Sequence, residues 1–100
     1  MTKLIALYRR PTDPTVFDTH FDAIHVPLLK ELPGLRTIET TRVNGAPIGE
    51  AKFYAMAELY FEDKDAMDAA LGSKQGKAVI RDLMSFAADL VTVFYGEPSA

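Results

Sequence analysis

The apolar positions of this chain switch between two spacings. From Lys3 to Tyr8 the run Leu4-Ile5-Ala6-Leu7-Tyr8 is apolar on both alternating sets, the pattern of a strand covered on both faces. Arg10-Pro11-Thr12-Asp13-Pro14 then reads as a stop followed by a helix start. Asp13 can accept from the first free amides, and Pro14 suits the first helical position. Beyond Thr15 the period lengthens: Phe17, Phe21, Ile24 and Leu28 recur at helical spacing and predict one apolar stripe. Pro27 lacks the amide that would bond the Ala23 carbonyl, which predicts a kink or a short second turn. Pro33-Gly34 ends the element.

Arg36 to Val43 alternates and is rich in Thr and Ile, a strand signature, and Asn44 to Gly49 reads as a long hairpin loop. Phe53 to Phe61 is the strongest strand. Phe53, Ala55, Ala57, Leu59 and Phe61 fall on one side, and Tyr54, Met56, Glu58 and Tyr60 on the other. Asp63 caps a helix through Leu71, broken at Gly72-Ser73. It resumes with Val79, Ile80, Leu83, Met84 and Ala87 as its buried stripe. Leu90 to Tyr95 is the last strand.

The order β-α-β-β-α-β is the ferredoxin-like pattern of an α+β domain. It predicts a four-stranded antiparallel sheet with both helices on one face and the first and third strands central. Residues 1–100 are expected to form one such domain. Two helices cover one side of the sheet only. The other is expected to carry Tyr54, Met56, Tyr60 and either Val91, Val93, Tyr95 or their neighbours. Leaving such side chains wet forfeits roughly 1.5–3 kcal/mol each, so the pattern predicts a homodimer with its sheets face to face.

Composition narrows the function classes. The chain has 100 residues, 48% hydrophobic and 25% charged, with a net charge of −3, enough apolar content for a real core. Without cysteine it has no disulfide framework, thiolate metal site or thiol nucleophile. The mildly acidic balance argues against nucleic acid as a partner. Leu4 to Tyr8 is too short for a signal peptide, and nothing approaches the ~20 apolar residues of a membrane span. A cytoplasmic protein with no membrane partner is expected. Gly45 and Gly49 lack the phosphate-loop and dinucleotide spacings, and no cofactor or metal is expected.

Several segments together carry a family likeness. A Tyr8-Arg9 strand end and a proline precede a helix with paired aromatics that leads into His25-Val26-Pro27-Leu28, followed by Leu32-Pro33-Gly34-Leu35. With Glu58-Leu59-Tyr60-Phe61 and the Asp82-to-Phe86 spacing, the chain from about Leu4 to Gly96 resembles the EthD family, named for ethyl tert-butyl ether degradation, of the dimeric α/β-barrel superfamily. The resemblance implies a homodimer with a central barrel and a small, mostly apolar cavity. The wider superfamily includes cofactor-independent monooxygenases, muconolactone isomerases, cyclases and haem-degrading members, and EthD relatives are often labelled oxidoreductases.

The candidate chemistry centres on His25, which matches the family's helix histidine. On an α-helical wheel it lies about 80° from the Phe17–Phe21–Ile24–Leu28 stripe, at a core edge. An imidazole there can serve as acid or base; otherwise it bonds a carbonyl freed near Pro27. His20, five residues earlier, falls about 140° from His25 on that wheel, too divergent for a metal pair. It is expected at the surface or dimer edge. Glu58, in an apolar strand, is either a second acid/base or ligand-binding group or the salt-bridge partner of an Arg on a neighbouring strand or on the partner chain. Tyr8, Tyr54, Tyr60 and Tyr95 are candidates to line a cavity with their hydroxyls, against a packing role. Asp82 either orients His25 or supports its own helix, the latter being favoured. Two functions follow: an oxidoreductase, isomerase or lyase acting on a small apolar organic compound without a cofactor, or a non-catalytic binding or accessory module.

Overall fold

The computed structural model describes residues 1–99. Four strands, β1 (Thr2–Tyr8), β2 (Thr37–Arg42), β3 (Ala55–Phe61) and β4 (Val91–Gly96), form one antiparallel sheet in the order β2-β3-β1-β4. The first and third strands are central, as the order of elements predicts. Helices α1 (Pro14–His20), α2 (Val26–Lys30), α3 (Lys64–Gly72) and α4 (Lys74–Ala87) lie on one face.

Register decides which side chains the helices meet. Tyr8 pairs with Ala55, Ala6 with Ala57, Leu4 with Leu59 and Thr2 with Phe61. This set faces the helices, and Tyr8, Ala55, Ala57, Leu59 and Phe61 are buried there. Lys3, Ile5 and Leu7 project from the other face with Tyr60, Glu58 and Met56, and with Phe94 opposite Ile5. Val91, Val93 and Tyr95 pair with Tyr8, Ala6 and Leu4, so they lie on the helix side and their neighbours on the open one. Tyr54 also leaves the open face. The alternation breaks just before β3: Tyr54 precedes the strand, its ring meets Phe17 of α1 at 5.8 Å, and its hydroxyl donates to Asp18 at 3.0 Å.

The helix caps follow local chemistry. Asp13 accepts from the Val16 amide, Asp63 from Ala66 and Ser73 from Gly76, each meeting an amide that the first turn leaves free. The buried stripe of the first helical segment differs from its expected course. It runs Phe17, Phe21, His25, Leu29, while Ile24 is 47% exposed and Leu28 only half buried. The cause is a π-helical turn over Phe21–His25, closed by the Val26 amide donating to the Phe21 carbonyl. Such a turn takes an extra residue and advances the buried register from 24 and 28 to 25 and 29. The irregularity falls just before Pro27. On α4 the buried positions are Gly76, Val79 and Ala87, whereas Ile80 and Met84 are about half exposed.

Phe61 is fully enclosed at the end of β3. Phe61→Ala is expected to destabilise the fold by about 3–5 kcal/mol, read as a lower urea midpoint with the slope unchanged. A loss well under ~1 kcal/mol would mean that the helices do not close over this end of the sheet.

Candidate functional site

The helix layer and the sheet enclose a cavity of about 260 Å³. Of its twelve lining residues ten are aliphatic: Leu4, Ala6, Ala57 and Leu59 belong to the sheet side, Leu29, Val79 and Leu83 to the helix side. Ile80 and Val93 are the lining residues left exposed, which puts the mouth between α4 and β4. The two polar-tipped lining residues are Tyr8 and His25.

Each owes its place to a separate local feature. Tyr8 is the last residue of β1, on the helix-facing set, with its ring edge-on to Phe17 and Phe21 at 5.4 Å. His25 closes the π turn, which brings it into the buried stripe with its side chain only 2% exposed. Its Nδ1 lies 2.9 Å from Asp82 Oδ2 on α4. A carboxylate can only accept, so Nδ1 carries the proton and Nε2 holds the free lone pair. Among the described residues no buried side-chain nitrogen or oxygen lacks a partner, and Nε2 is engaged by no protein group. Nε2 therefore reaches open space, and the cavity is the space that His25 lines.

Electrostatics keep both groups uncharged near neutrality. Burial holds the His25 ring below the ordinary imidazole value, outweighing the opposing pull of Asp82. Burial, aided by the Asp82 charge, pushes the Tyr8 phenol above its usual value, so it remains a proton donor. An apolar chamber thus presents one acceptor nitrogen and one donor hydroxyl.

Two expectations are overturned: the Asp82 carboxylate bonds His25 rather than supporting its own helix, and His20 joins it there. The His20 Nε2 lies 2.8 Å from Asp82 Oδ1, so both histidines meet one carboxylate. The α-helical wheel separates them by a step that the π turn cancels. Phe86 packs against both rings, at 4.4 Å for His20 and 5.0 Å for His25. His20 also borders a second, open hollow of about 540 Å³ on the outer surface, with Asp13, Val16, Met84 and Asp89. Among the described residues no group of three or more His, Cys, Asp or Glu is arranged to hold a metal ion. The nitrogens that face Asp82 are spent on its oxygens.

The remaining candidates lie elsewhere. Glu58 is on the open face, paired with Lys3 at 2.8 Å, and Lys3 also sits over the Tyr60 ring at 5.3 Å. Tyr54 is held by Asp18 and Arg42, the latter 3.1 Å from its hydroxyl. Tyr95 is 52% exposed on β4, with Lys64 over its ring. The structure joins Tyr8 to His25 and leaves Glu58, Tyr54, Tyr60 and Tyr95 outside the cavity. What the residue pattern left out is His20 as a member of the cluster and Phe86 as the ring between the two histidines. The signal that bears on His20 is Pro27 two residues after His25.

A four-stranded ferredoxin-like sheet with a helix layer and a largely buried His–Asp pair beside an apolar cavity defines a small α+β domain. The EthD domain matches residues 9–89, and the chain belongs to the EthD family. It is similar to an ethyl tert-butyl ether degradation (EthD) family protein of Bacillus halodurans, at 44% identity and a TM-score of 0.96 over 99% of both chains. It is also 30% identical to an 11.0 kDa protein from the thcB–thcC intergenic region of Rhodococcus erythropolis, over 95% of this chain and 92% of that one. A dimeric ferredoxin-like protein of Jannaschia shares the fold at a TM-score of 0.70 and 20% identity, over 98% of this chain and all of the other. No helix among the described residues is long and apolar enough to cross a membrane.

The buried neutral histidine fixes a pH dependence. Its folded value lies below that of the unfolded chain, about 6.5, so on the acid side of that value the unfolded chain binds more protons. The contribution to stability is complete above the unfolded value and declines as pH falls through it toward the folded one. The melting temperature is expected to drop between pH 7.5 and pH 5, and His25→Gln should flatten that drop. An equal slope in both proteins would contradict the buried neutral ring.

Proposed function

We propose that the chain is the subunit of a homodimeric, cofactor-independent enzyme that binds a small, neutral, mostly apolar organic compound between helices and sheet. His25 Nε2 takes a proton from the bound compound or returns one, while the Tyr8 hydroxyl donates to its oxygen. The observation that carries this reading is the His25–Asp82 contact. It fixes the tautomer, leaves the basic nitrogen toward the cavity, and supplies a counter-charge for the imidazolium formed when the proton moves. Oxygen-dependent oxidation of an activated carbon, isomerisation and lactone chemistry share this first step, so an oxidoreductase or an isomerase is assigned at that level. Anionic substrates are disfavoured, because among the described residues no Lys or Arg lines the cavity and Asp82 lies behind His25.

Neutral ketones, lactones and phenols are expected to raise the melting temperature. Saturation at a hundred times Kd corresponds to about 2.7 kcal/mol. Ala57→Leu, which fills the cavity floor, should abolish the shift in a protein that still folds. With a turned-over compound in hand, His25→Ala should lower kcat by about 10²–10⁴-fold, and Tyr8→Phe by less. Unaltered turnover in folded His25→Ala would remove the acid/base role; binding without turnover would favour the accessory module.

Assembly is part of the reading. Ile5, Leu7, Met56 and Phe94 form an apolar stretch on the face that the helices leave open, and the Jannaschia protein of the same fold is described as dimeric. Sedimentation at micromolar concentration is expected to give a particle of two chains, and Ile5→Lys with Phe94→Glu a single one. A well-behaved monomer for the unaltered protein would end the dimer assignment.

A further inference from the structure

Two imidazoles meet one carboxylate, yet only one of them borders the cavity. His25 approaches Asp82 from inside, with 2% of its side chain exposed; His20 approaches from the outer hollow, with 25% exposed. The contacts, 2.9 and 2.8 Å, use different oxygens, so neither ring displaces the other. Asp82 carries a single charge. One imidazolium beside it is balanced; a second would share a neutralised partner and face a like charge a few ångströms away.

We propose that His20 is a positioning residue for His25: from the outer hollow it holds the second oxygen of Asp82, and so limits how far that carboxylate favours the imidazolium inside the cavity. The base inside the cavity stays free at a pH where a His–Asp pair alone would already be protonated. Around the cluster, α1 contributes His20, α4 Asp82 and β1 the Tyr8 phenol, while the lining residues of α2 and β3 are aliphatic. Asp13 and Asp89 border the hollow beside His20. The inference rests on His25 as the base of the reading above. Its physical content, however, is a coupling between two titrations that exists without any substrate.

The test is a ring-resolved NMR titration of both histidines in the unaltered protein and in His20→Gln, whose amide can still donate to Asp82 but carries no charge. In the unaltered protein each ring is expected to report two inflections, each shared with the other ring. In His20→Gln the His25 curve should collapse to one inflection at higher pH, and in Asp82→Asn it should lie at lower pH than in the unaltered protein. Superimposable His25 curves in the unaltered protein and natively folded His20→Gln would overturn the coupling. Single, unrelated inflections in the unaltered protein would do the same, so the outcome does not hang on a variant that folds. Once a substrate is known, the acid limb of the kcat profile should move to higher pH in His20→Gln. A plateau loss without movement of the limb would refute the coupling and leave His25 as the base. Shared inflections in a protein that binds and converts nothing would leave the coupling standing and end the proposed function instead.

Discussion

The hydrogen bond from the Val26 amide to the Phe21 carbonyl spans five residues instead of four, and much of the interior follows from that extra residue. A regular α-helix would continue the Phe17–Phe21 stripe through Ile24 and Leu28. The wider turn brings His25 and Leu29 onto it and leaves Ile24 in water. Burying an imidazole in place of an isoleucine costs free energy unless its polar atoms are met, and Asp82 meets one of them. The same turn cancels the angular separation of residues five apart, so that His20 reaches the other oxygen of that carboxylate. A π turn of this kind is uncommon and tends to occur at functional sites. Here its effect is concrete, because it exchanges an apolar lining group for a base.

The cavity has a consistent electrostatic logic. Ten aliphatic residues line the chamber, and burial beside them moves the two polar groups away from charge, the imidazole by lowering its affinity for a proton and the phenol by raising its own. A neutral base and a neutral donor suit a substrate whose charge appears only as the proton leaves. The same surroundings make a permanent anion an unfavourable guest.

How far the residues revealed this arrangement depends on whether local rules sufficed. Asp13, Asp63 and Ser73 cap helices by interactions within three residues, and strand order followed from the β-α-β-β-α-β succession of elements. Those features need no tertiary knowledge. The helix-face assignments for Ile24 and Leu28 depended on a constant 100° step, which the π turn breaks. Tyr54 was placed by strict alternation from Met56, whereas the chain abandons alternation one residue before β3. There Tyr54 joins Asp18 and Arg42 on the helix side. His25 was legible as a core-edge histidine because its identity and position stand in the sequence. Its tautomer and the presence of His20 were not, and Asp82 stood as the less favoured of two readings, since each depends on contacts with α4, 57 to 62 residues away along the chain.

The two central strands serve two surfaces at once. On β1, Leu4, Ala6 and Tyr8 border the cavity while Lys3, Ile5 and Leu7 point to the open face; on β3, Ala57 and Leu59 face in while Met56, Glu58 and Tyr60 face out. Because strand side chains alternate, a slip of one residue would exchange these sets, putting Lys3 into the apolar chamber and Tyr8 into water. The Lys3–Glu58 pair at 2.8 Å opposes such a slip, since its charges are tolerable only on the wetter face. Tyr8 opposes it from the other side, through its ring contacts with Phe17, Phe21 and Phe86. Register thus ties the two faces together. A substitution on the open face that left the strands in place would leave Tyr8 and His25 where they are, whereas one that shifted β1 would dismantle the site without touching a residue in it.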